Sequence, residues 1–124
     1  MLNDLTRAVE LIEDNVGSRP FWFRPPYGAI SSGTVLAARR LRLQMVLWTS
    51  WGKDWRDSAT PLNVAAEVER GLAPGATVVL HDSDCASAPG AWRSALGSLP
   101  LLADIVEAKD WKVGPLREHG VSAT

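Results

Sequence analysis

Three side chains suited to proton transfer or charge pairing each follow a predicted strand. Arg24 comes after FWF, Asp54 lies in WGKDW after the apolar run QMVLWTS, and His81 follows ATVVL. Histidine changes its charge near neutral pH and can therefore transfer protons, and a neighbouring carboxylate favours its charged form. Arginine binds carboxylates through paired hydrogen bonds. Because parallel strands place their carboxyl ends at one edge of a sheet, the sequence predicts a proton-transfer site there.

Each of these three residues also fits a structural role when it is taken alone. An arginine beside aromatic rings often stacks or pairs with a carboxylate, an aspartate often caps a turn, and a histidine at a strand end is usually a satisfied polar group. Their expected meeting at one edge favours function over these structural roles. The rigid loop formed by Pro25 and Pro26 after Arg24 supports the same interpretation.

Helices and strands alternate along the chain that carries these residues. Apolar residues at spacings of three and four predict helices, and short continuous apolar runs predict buried strands. The predicted helices span residues 2–16, 31–41, 60–73 and 91–98, followed by one that starts at Ser98 with Pro100 in its first turn; the predicted strands span residues 21–24, 44–50, 76–82 and 111–116. This order predicts an α/β fold whose parallel sheet is covered by helices and leaves one edge strand exposed.

Helix ends and inward faces are predicted from the same pattern. The expected N-terminal caps are Asn3 or Asp4, Ser31 or Ser32, and Thr60 before Pro61. The side chains expected to face inward in the second and third helices are Val35, Leu36, Ala38, Leu62, Ala65, Ala66, Val68 and Leu72.

Composition restricts the classes of function. The 124 residues suffice for one domain, 1–124, with residues 118–124 as a frayed tail. A net charge of −1 argues against binding to nucleic acid, and no apolar segment is long enough for a membrane span. The single cysteine, Cys85, excludes an internal disulfide and a cysteine-rich zinc site. Six tryptophans are many for so small a core, and their flat faces suit sugar rings.

Three motifs together resemble the polysaccharide deacetylases, the family 4 carbohydrate esterases with a NodB-homology domain. RPPY at residues 24–27 is similar to the family's R-x-P-Y motif, and VLHDSD at residues 79–84 is similar to its leucine–histidine motif. WGKDW at residues 51–55 is similar to D-x-x-D-W, with Trp51 in place of the first aspartate. The resemblance implies the C-terminal half of an irregular parallel (β/α) barrel. It also implies a hydrolase that removes N- or O-acetyl groups from acetylated oligo- or polysaccharides.

The resemblance implies three catalytic residues in this chain. His81 is expected to be the general acid that protonates the leaving amine, and Asp54 is expected to tune it. Arg24 is expected to hold the aspartate that acts as general base. The prolines after Arg24 then have a purpose, since the arginine must hold its partner at a fixed geometry.

The resemblance also implies the residues that bind the substrate. Tyr27 is expected to help fix the groove beside Pro26 and to offer its backbone N–H to the developing oxyanion. Trp55 is expected to form a wall of the sugar groove together with Trp51. Leu80 is expected to line the pocket for the acetyl group.

Two motifs of the family do not occur in the sequence. T-F-D-D-G provides the base and a metal-binding aspartate, and H-S/T-x-x-H provides two histidines for a divalent metal, with zinc expected. The metal ligands are therefore absent from this chain, and His119 cannot replace them. The simplest interpretation is that an N-terminal half is missing and that the chain alone has little or no activity. The chain as given has no signal peptide and is expected to be soluble and cytoplasmic, although many relatives are secreted.

Three alternatives remain open from the sequence. The first is a non-catalytic carbohydrate-binding remnant that uses Trp51, Trp55 and Trp92. The second is a different metalloenzyme site made of His81, Asp82 and Asp84, although a strand would place these side chains on two faces. The third is assembly through the exposed sheet edge, either as a homodimer or with a separately encoded N-terminal half.

Overall fold

The computed structural model describes residues 1–119 and divides into two compact units, Met1–Leu47 and a second that begins at Trp48. The first unit contains helix α1 (Leu2–Val16), strand β1 (Trp22–Phe23), a 3₁₀ turn (Pro26–Gly28), helix α2 (Ser32–Arg40) and strand β2 (Gln44–Met45). The second contains strand β3 (Ser50–Trp51), helix α3 (Pro61–Gly71), strand β4 (Val78–Val79), helix α4 (Trp92–Ala108) and a 3₁₀ turn (Leu116–Glu118). Each unit thus combines α-helices with one parallel pair of strands.

A small apolar core joins the helices and strands of the first unit. Val9 of α1, Ala38 of α2 and Leu43 before β2 are almost fully buried. Strand β1 pairs with β2 in parallel, with Trp22 opposite Gln44 and Phe23 opposite Met45. This core fixes the end of β1 and therefore the start of the segment at residues 24–27.

Helices α2 and α3 begin at the hydroxyl caps that the sequence predicts. The Ser31 hydroxyl accepts the backbone N–H of Thr34 at 3.1 Å, and the Thr60 hydroxyl accepts that of Asn63 at 3.3 Å. In each helix the third residue also bonds back to the cap, which completes a capping box. Both starts depend on neighbours in sequence, and for this reason they could be predicted.

The prediction of a side-chain cap for α1 is wrong. The helix begins at Leu2, so that Asn3 and Asp4 lie inside it, and Met1 occupies the cap position without a side-chain hydrogen bond. The Asp4 carboxylate instead pairs with the N-terminal ammonium group at 2.7 Å. Charge pairing at the first turn replaces a hydrogen-bonded cap.

Two large apolar side chains face outward, contrary to the prediction. Leu36 is 65% exposed and Leu62 is 72% exposed, and Ala66 is exposed as well. Thr34 of α2 and Val64 of α3 are buried instead. In α2 the small or polar residues Thr34, Ala37 and Ala38 occupy the buried face, so the spacing of large apolar residues did not identify it.

In the second unit, α3 packs against β3 and α4. Val64 and Val68 of α3 are fully buried, and Val79 of β4 and Ala95 of α4 are almost fully buried. Gly97 permits the close approach of the helices, since a Cβ atom there would lie 2.7 Å from the Cγ of Pro61. The packing of α3 supports β3, which pairs in parallel with β4.

The structure has one helix, α4, where the sequence predicted two. Ser98 does not cap a new helix, because its buried hydroxyl donates to the carbonyl of Ala95 at 2.7 Å inside α4. Pro100 lies within the same helix. Burial of α4 against α3 outweighs the loss of one backbone donor at the proline.

The predicted strands are shorter than expected, and the strand at residues 111–116 is wrong. The run at residues 44–50 forms two separate short strands, β2 and β3, which pair with different partners. After α4, Asp110 adopts a left-handed conformation (φ 53°), and the backbone N–H of Trp111 donates to Val106. Within residues 1–119 the segment that follows joins no ladder, because an extended segment becomes a strand only beside a partner.

Two remaining expectations concern the chain ends and membranes. Glu118 lies in a 3₁₀ turn, whereas residues 120–124 of the predicted frayed tail lie outside the described residues. Among residues 1–119, none of the helices combines the length and apolar character that a membrane span requires.

Candidate active site

Asp54 and His81 form a doubly hydrogen-bonded pair in the second unit. The backbone N–H of His81 donates to one carboxylate oxygen of Asp54 at 2.6 Å, and Nδ1 of its ring lies 3.0 Å from the other. Asp54 is only 1% exposed, whereas the His81 side chain is 44% exposed. The carboxylate is therefore buried and satisfied, and the ring extends from it toward solvent.

The pair determines which ring nitrogen of His81 can meet a substrate. An ionised carboxylate only accepts hydrogen bonds, so Nδ1 must carry the hydrogen that faces Asp54. The second nitrogen, Nε2, is then free to exchange a proton with a bound molecule. The geometry matches a histidine that a carboxylate holds in one tautomer for general acid–base chemistry.

The turn that carries Asp54 is fixed by its two preceding residues. Gly52 packs so tightly that a Cβ atom there would lie 2.6 Å from Cγ1 of Val64 and 2.9 Å from Cδ2 of Leu80. Lys53 adopts a left-handed conformation with φ 51°. The chain therefore turns sharply after β3 and directs Asp54 into the unit.

Three tryptophans form a continuous row that ends at His81. The ring centroids of Trp48 and Trp51 are 5.9 Å apart, and those of Trp51 and Trp55 are 5.1 Å apart. The Trp55 ring meets the imidazole of His81 edge-on at 5.7 Å. The sequence placed Trp48 in the strand predicted at residues 44–50, and its place in this row depends on the turn that follows β3.

A cavity of about 220 Å³ opens on the α4 side of His81. Its lining residues are Leu80, His81, Asp82, Trp92, Ala95, Leu96 and Leu99. Trp92 thus lines this cavity with α4, whereas the sequence grouped it with Trp51 and Trp55. Most of the lining is apolar, with His81 and Asp82 as the polar residues.

The remaining predicted site residues lie in the first unit. Arg24 and Pro26 are exposed, and Pro25 is fully buried and anchors their loop. Tyr27 is 89% exposed and adopts a left-handed φ of 57°, which is rare for an aromatic residue. A 3₁₀ turn at Pro26–Gly28 follows Arg24 and Pro25. The rigidity of this loop and the meeting of Arg24 with Asp54 and His81 stay predictions.

Sequence comparison connects the chain with one enzyme family. The sequence model of the family described as "Polysaccharide deacetylase" matches residues 1–46. The chain is 30% identical to a bifunctional xylanase/xylan deacetylase of Cellvibrio japonicus over 80 residues. The match covers 64% of this chain and 12% of that protein. The family model and this relative support a polysaccharide deacetylase domain, to part of which the chain is similar.

Solved structures of the family show the same fold. A family 4 acetyl xylan esterase from Clostridium thermocellum in complex with a cobalt ion matches with a TM-score of 0.80 at 22% identity, over 98% of this chain and 57% of the esterase. A family 4 pseudoenzyme from Bacillus anthracis matches with a TM-score of 0.77 at 24% identity, over 91% of this chain and 37% of the pseudoenzyme. The predicted fold class, a partial (β/α) barrel of the polysaccharide deacetylases, is confirmed.

The side chains of residues 1–119 do not fit the divalent metal expected for this family. Residues 1–119 contain no group of three histidine, cysteine or acidic side chains that could hold an ion. Nδ1 of His81 faces Asp54, and a carboxylate oxygen of Asp84 accepts the backbone N–H of Gly90 at 2.6 Å. The alternative metal site at His81, Asp82 and Asp84 therefore gains no support from the geometry.

Charged residues on α3 anchor the turn of Asp54. The Lys53 ammonium group donates to Glu67 at 2.9 Å, and the guanidinium of Arg70 donates to the same carboxylate at 2.6 Å. Hydrogen bonds from these two cations hold the pKa of Glu67 below its usual value of 4.5, and the bond from Lys53 has the larger effect. Glu67 is thus expected to stay charged in mildly acidic solution.

Glu67→Gln is expected to lower the free energy of unfolding at neutral pH but not in acid. A depressed pKa in the folded chain adds stability above the unfolded value, and this stability is lost as the pH falls through the folded pKa. Chemical unfolding of the wild type and the variant at neutral pH and at about pH 3 measures this difference. An equal difference at both pH values would contradict the assignment.

Proposed function

We propose that this chain provides the general acid and part of the sugar-binding groove of a polysaccharide deacetylase active site. The whole domain would hydrolyse the bond between an acetyl group and a sugar nitrogen or oxygen, acting on an acetylated oligo- or polysaccharide. The observation that carries the proposal is the Asp54–His81 pair beside the ring of Trp55. The likeness to deacetylases and esterases of carbohydrates supports the substrate class.

His81 is the proposed general acid. In the hydrolysis, water gives one proton to the general base and its oxygen adds to the acetyl carbonyl carbon. The bond from that carbon to the sugar nitrogen then breaks, and the nitrogen takes up a proton from the general acid. The Nε2–H of a protonated His81 can deliver this proton, since Nδ1–H is bound to Asp54. The buried carboxylate of Asp54 also holds the ring in place during the transfer.

The proposed substrate contacts lie on both sides of His81. Trp55 and Trp51 offer apolar faces for sugar rings, and Leu80 lines the adjoining cavity, which suits the acetyl group. Arg24 is proposed to hold the base aspartate, and Pro26 and Tyr27 are proposed to shape the groove. The general base and the divalent metal, with zinc expected, must come from residues outside this chain, so the chain alone is predicted to have little or no activity.

A carbohydrate-binding remnant is the second candidate, because the tryptophan row extends from His81 through Trp55 and Trp51 to Trp48. Trp51 replaces the first aspartate of the D-x-x-D-W motif, so an acidic position has become an aromatic one. The existence of a family 4 pseudoenzyme with this fold agrees with retention of the fold without catalysis. The homodimer through the sheet edge stays a prediction.

Titration with N-acetylchitotetraose, followed by tryptophan fluorescence and by acetate release, tests both candidates. We expect saturable binding without release of acetate, and binding about tenfold weaker in Trp51→Ala, since one stacking face is removed. Trp111→Ala serves as the matched control, because Trp111 lies after α4 beneath the ammonium group of Lys109.

The two measurements separate the candidates. No fluorescence change at millimolar sugar contradicts carbohydrate recognition by this chain. Release of acetate that is lost in His81→Ala contradicts the predicted inactivity and makes the chain a complete catalyst. Binding without release, with the tryptophan effect, supports the proposed groove.

A further inference from the structure

The position of Asp54 depends on a backbone conformation that is unfavourable in itself. Lys53, the residue before Asp54, has a φ of 51° in the left-handed region, where a Cβ atom meets its own backbone. Gly52 before it is held against Val64 and Leu80 and cannot shift toward either side chain. Because the turn has little freedom on that side, the conformation of Lys53 decides where the Asp54 carboxylate points.

The side chain of Lys53 is tied to helix α3. Its ammonium group lies 2.9 Å from a carboxylate oxygen of Glu67, and the side chains of the pair are only 28% and 26% exposed. The second oxygen of Glu67 accepts from Arg70, one helical turn further on, at 2.6 Å. Glu67 is thus fixed on α3 by Arg70, and it holds the turn at Lys53 from outside the site.

We infer that Glu67 is a positioning residue for the Asp54–His81 pair and acts through Lys53. Glu67 fixes the ammonium group of Lys53 on α3, and this contact maintains the left-handed turn that directs Asp54 toward His81. The catalytic part of this inference rests on the proposed deacetylase function. In that function Glu67 would keep the general acid His81 in position without contacting substrate. The geometric part of the inference applies to the chain alone.

A plain surface ion pair is the competing explanation. Exposed ion pairs contribute little to stability, and breaking one often leaves the surrounding structure unchanged. If Lys53 and Glu67 were such a pair, the bonds between His81 and Asp54 would not respond to its loss. The two explanations therefore differ in what happens at His81.

The backbone amide of His81 provides the measurement. Its N–H donates to a buried, charged acceptor at 2.6 Å, and such a short bond moves the amide proton resonance downfield. In ¹H–¹⁵N NMR spectra of the chain, Glu67→Gln is expected to move this proton upfield and to speed its exchange with solvent about tenfold. Glu69→Gln, an exposed neighbour on the same helix, is the matched control and should leave the resonance in place.

A second variant tests the route through Lys53. Lys53→Met keeps a long, unbranched side chain but removes its ammonium group, and should reproduce the shift of Glu67→Gln. The double variant should add nothing further, since both changes break one contact. The inference is overturned if the His81 amide stays unchanged in Glu67→Gln, or if all amides of the second unit shift alike, which indicates general loosening.

The measurement uses no sugar, so its outcome is independent of the proposed function. A selective shift at His81 together with failure to bind N-acetylchitotetraose would retain the positioning role and remove the deacetylase interpretation. An unchanged His81 amide together with sugar binding would remove the positioning role of Glu67 and retain carbohydrate recognition by this chain.

Discussion

Asp54→Ala is expected to lower the free energy of unfolding by about 1–3 kcal/mol, because buried hydrogen-bond partners are expensive to remove. Asp54 is 1% exposed and accepts both the backbone N–H and the ring of His81. Alanine leaves the backbone donor without its acceptor and opens a gap beside it. Urea unfolding of both chains measures the difference.

Asp54→Asn separates the fold from the chemistry. Its amide oxygen can accept the backbone N–H of His81, while its NH₂ group faces Nδ1 and requires that nitrogen to accept. We expect a smaller loss of stability than in Asp54→Ala, with the ring hydrogen moved to Nε2. The ¹⁵N resonances of the two ring nitrogens report this change of tautomer. Unchanged stability in Asp54→Ala would show that the pair does not stabilise the folded chain.

Gly52→Ala is also expected to destabilise the chain, by about 1–3 kcal/mol, through overpacking. The new methyl group would lie 2.6 Å from Cγ1 of Val64, a fully buried and β-branched side chain with little freedom to move. It would also lie 2.9 Å from Cδ2 of Leu80, next to His81 in sequence. Thermal and urea unfolding measure the loss.

Two further variants control for the glycine change. Gly33→Ala places a methyl group in α2 at ordinary contact distance, 3.7 Å from the Ser31 hydroxyl oxygen, and should stabilise the helix slightly. Val64→Ala combined with Gly52→Ala should cost less than the sum of the two single losses, because the methyl group that clashes at 2.6 Å is gone. If Gly52→Ala leaves the free energy of unfolding as high as Gly33→Ala does, the close packing around Gly52 is contradicted.

Features that depend on neighbours in sequence could be predicted. Ser31 and Thr60 cap helices through bonds to residues three positions away, and the two prolines after Arg24 stiffen their loop wherever it lies. The pairing of Asp54 with His81 was also accessible, because each follows a predicted strand and β3 and β4 are parallel neighbours. The motifs of the family pointed to the same two residues.

Features that depend on tertiary packing were missed. Nothing local indicates that α4 continues through Pro100, since only its burial against α3 compensates for the proline. Leu36 and Leu62 fit an inward face by spacing, yet Thr34 and Val64 take the buried positions. The tie from Lys53 to Glu67 joins residues far apart in sequence, and no motif marks it.

The tryptophan row has an optical consequence. Indoles whose centroids are 5.9 Å and 5.1 Å apart exchange excitation energy before they emit light. Emission from Trp48, Trp51 and Trp55 is therefore shared, and quenching at one ring dims the others. We therefore expect the three rings of the row to respond together when a bound molecule quenches Trp55 beside His81.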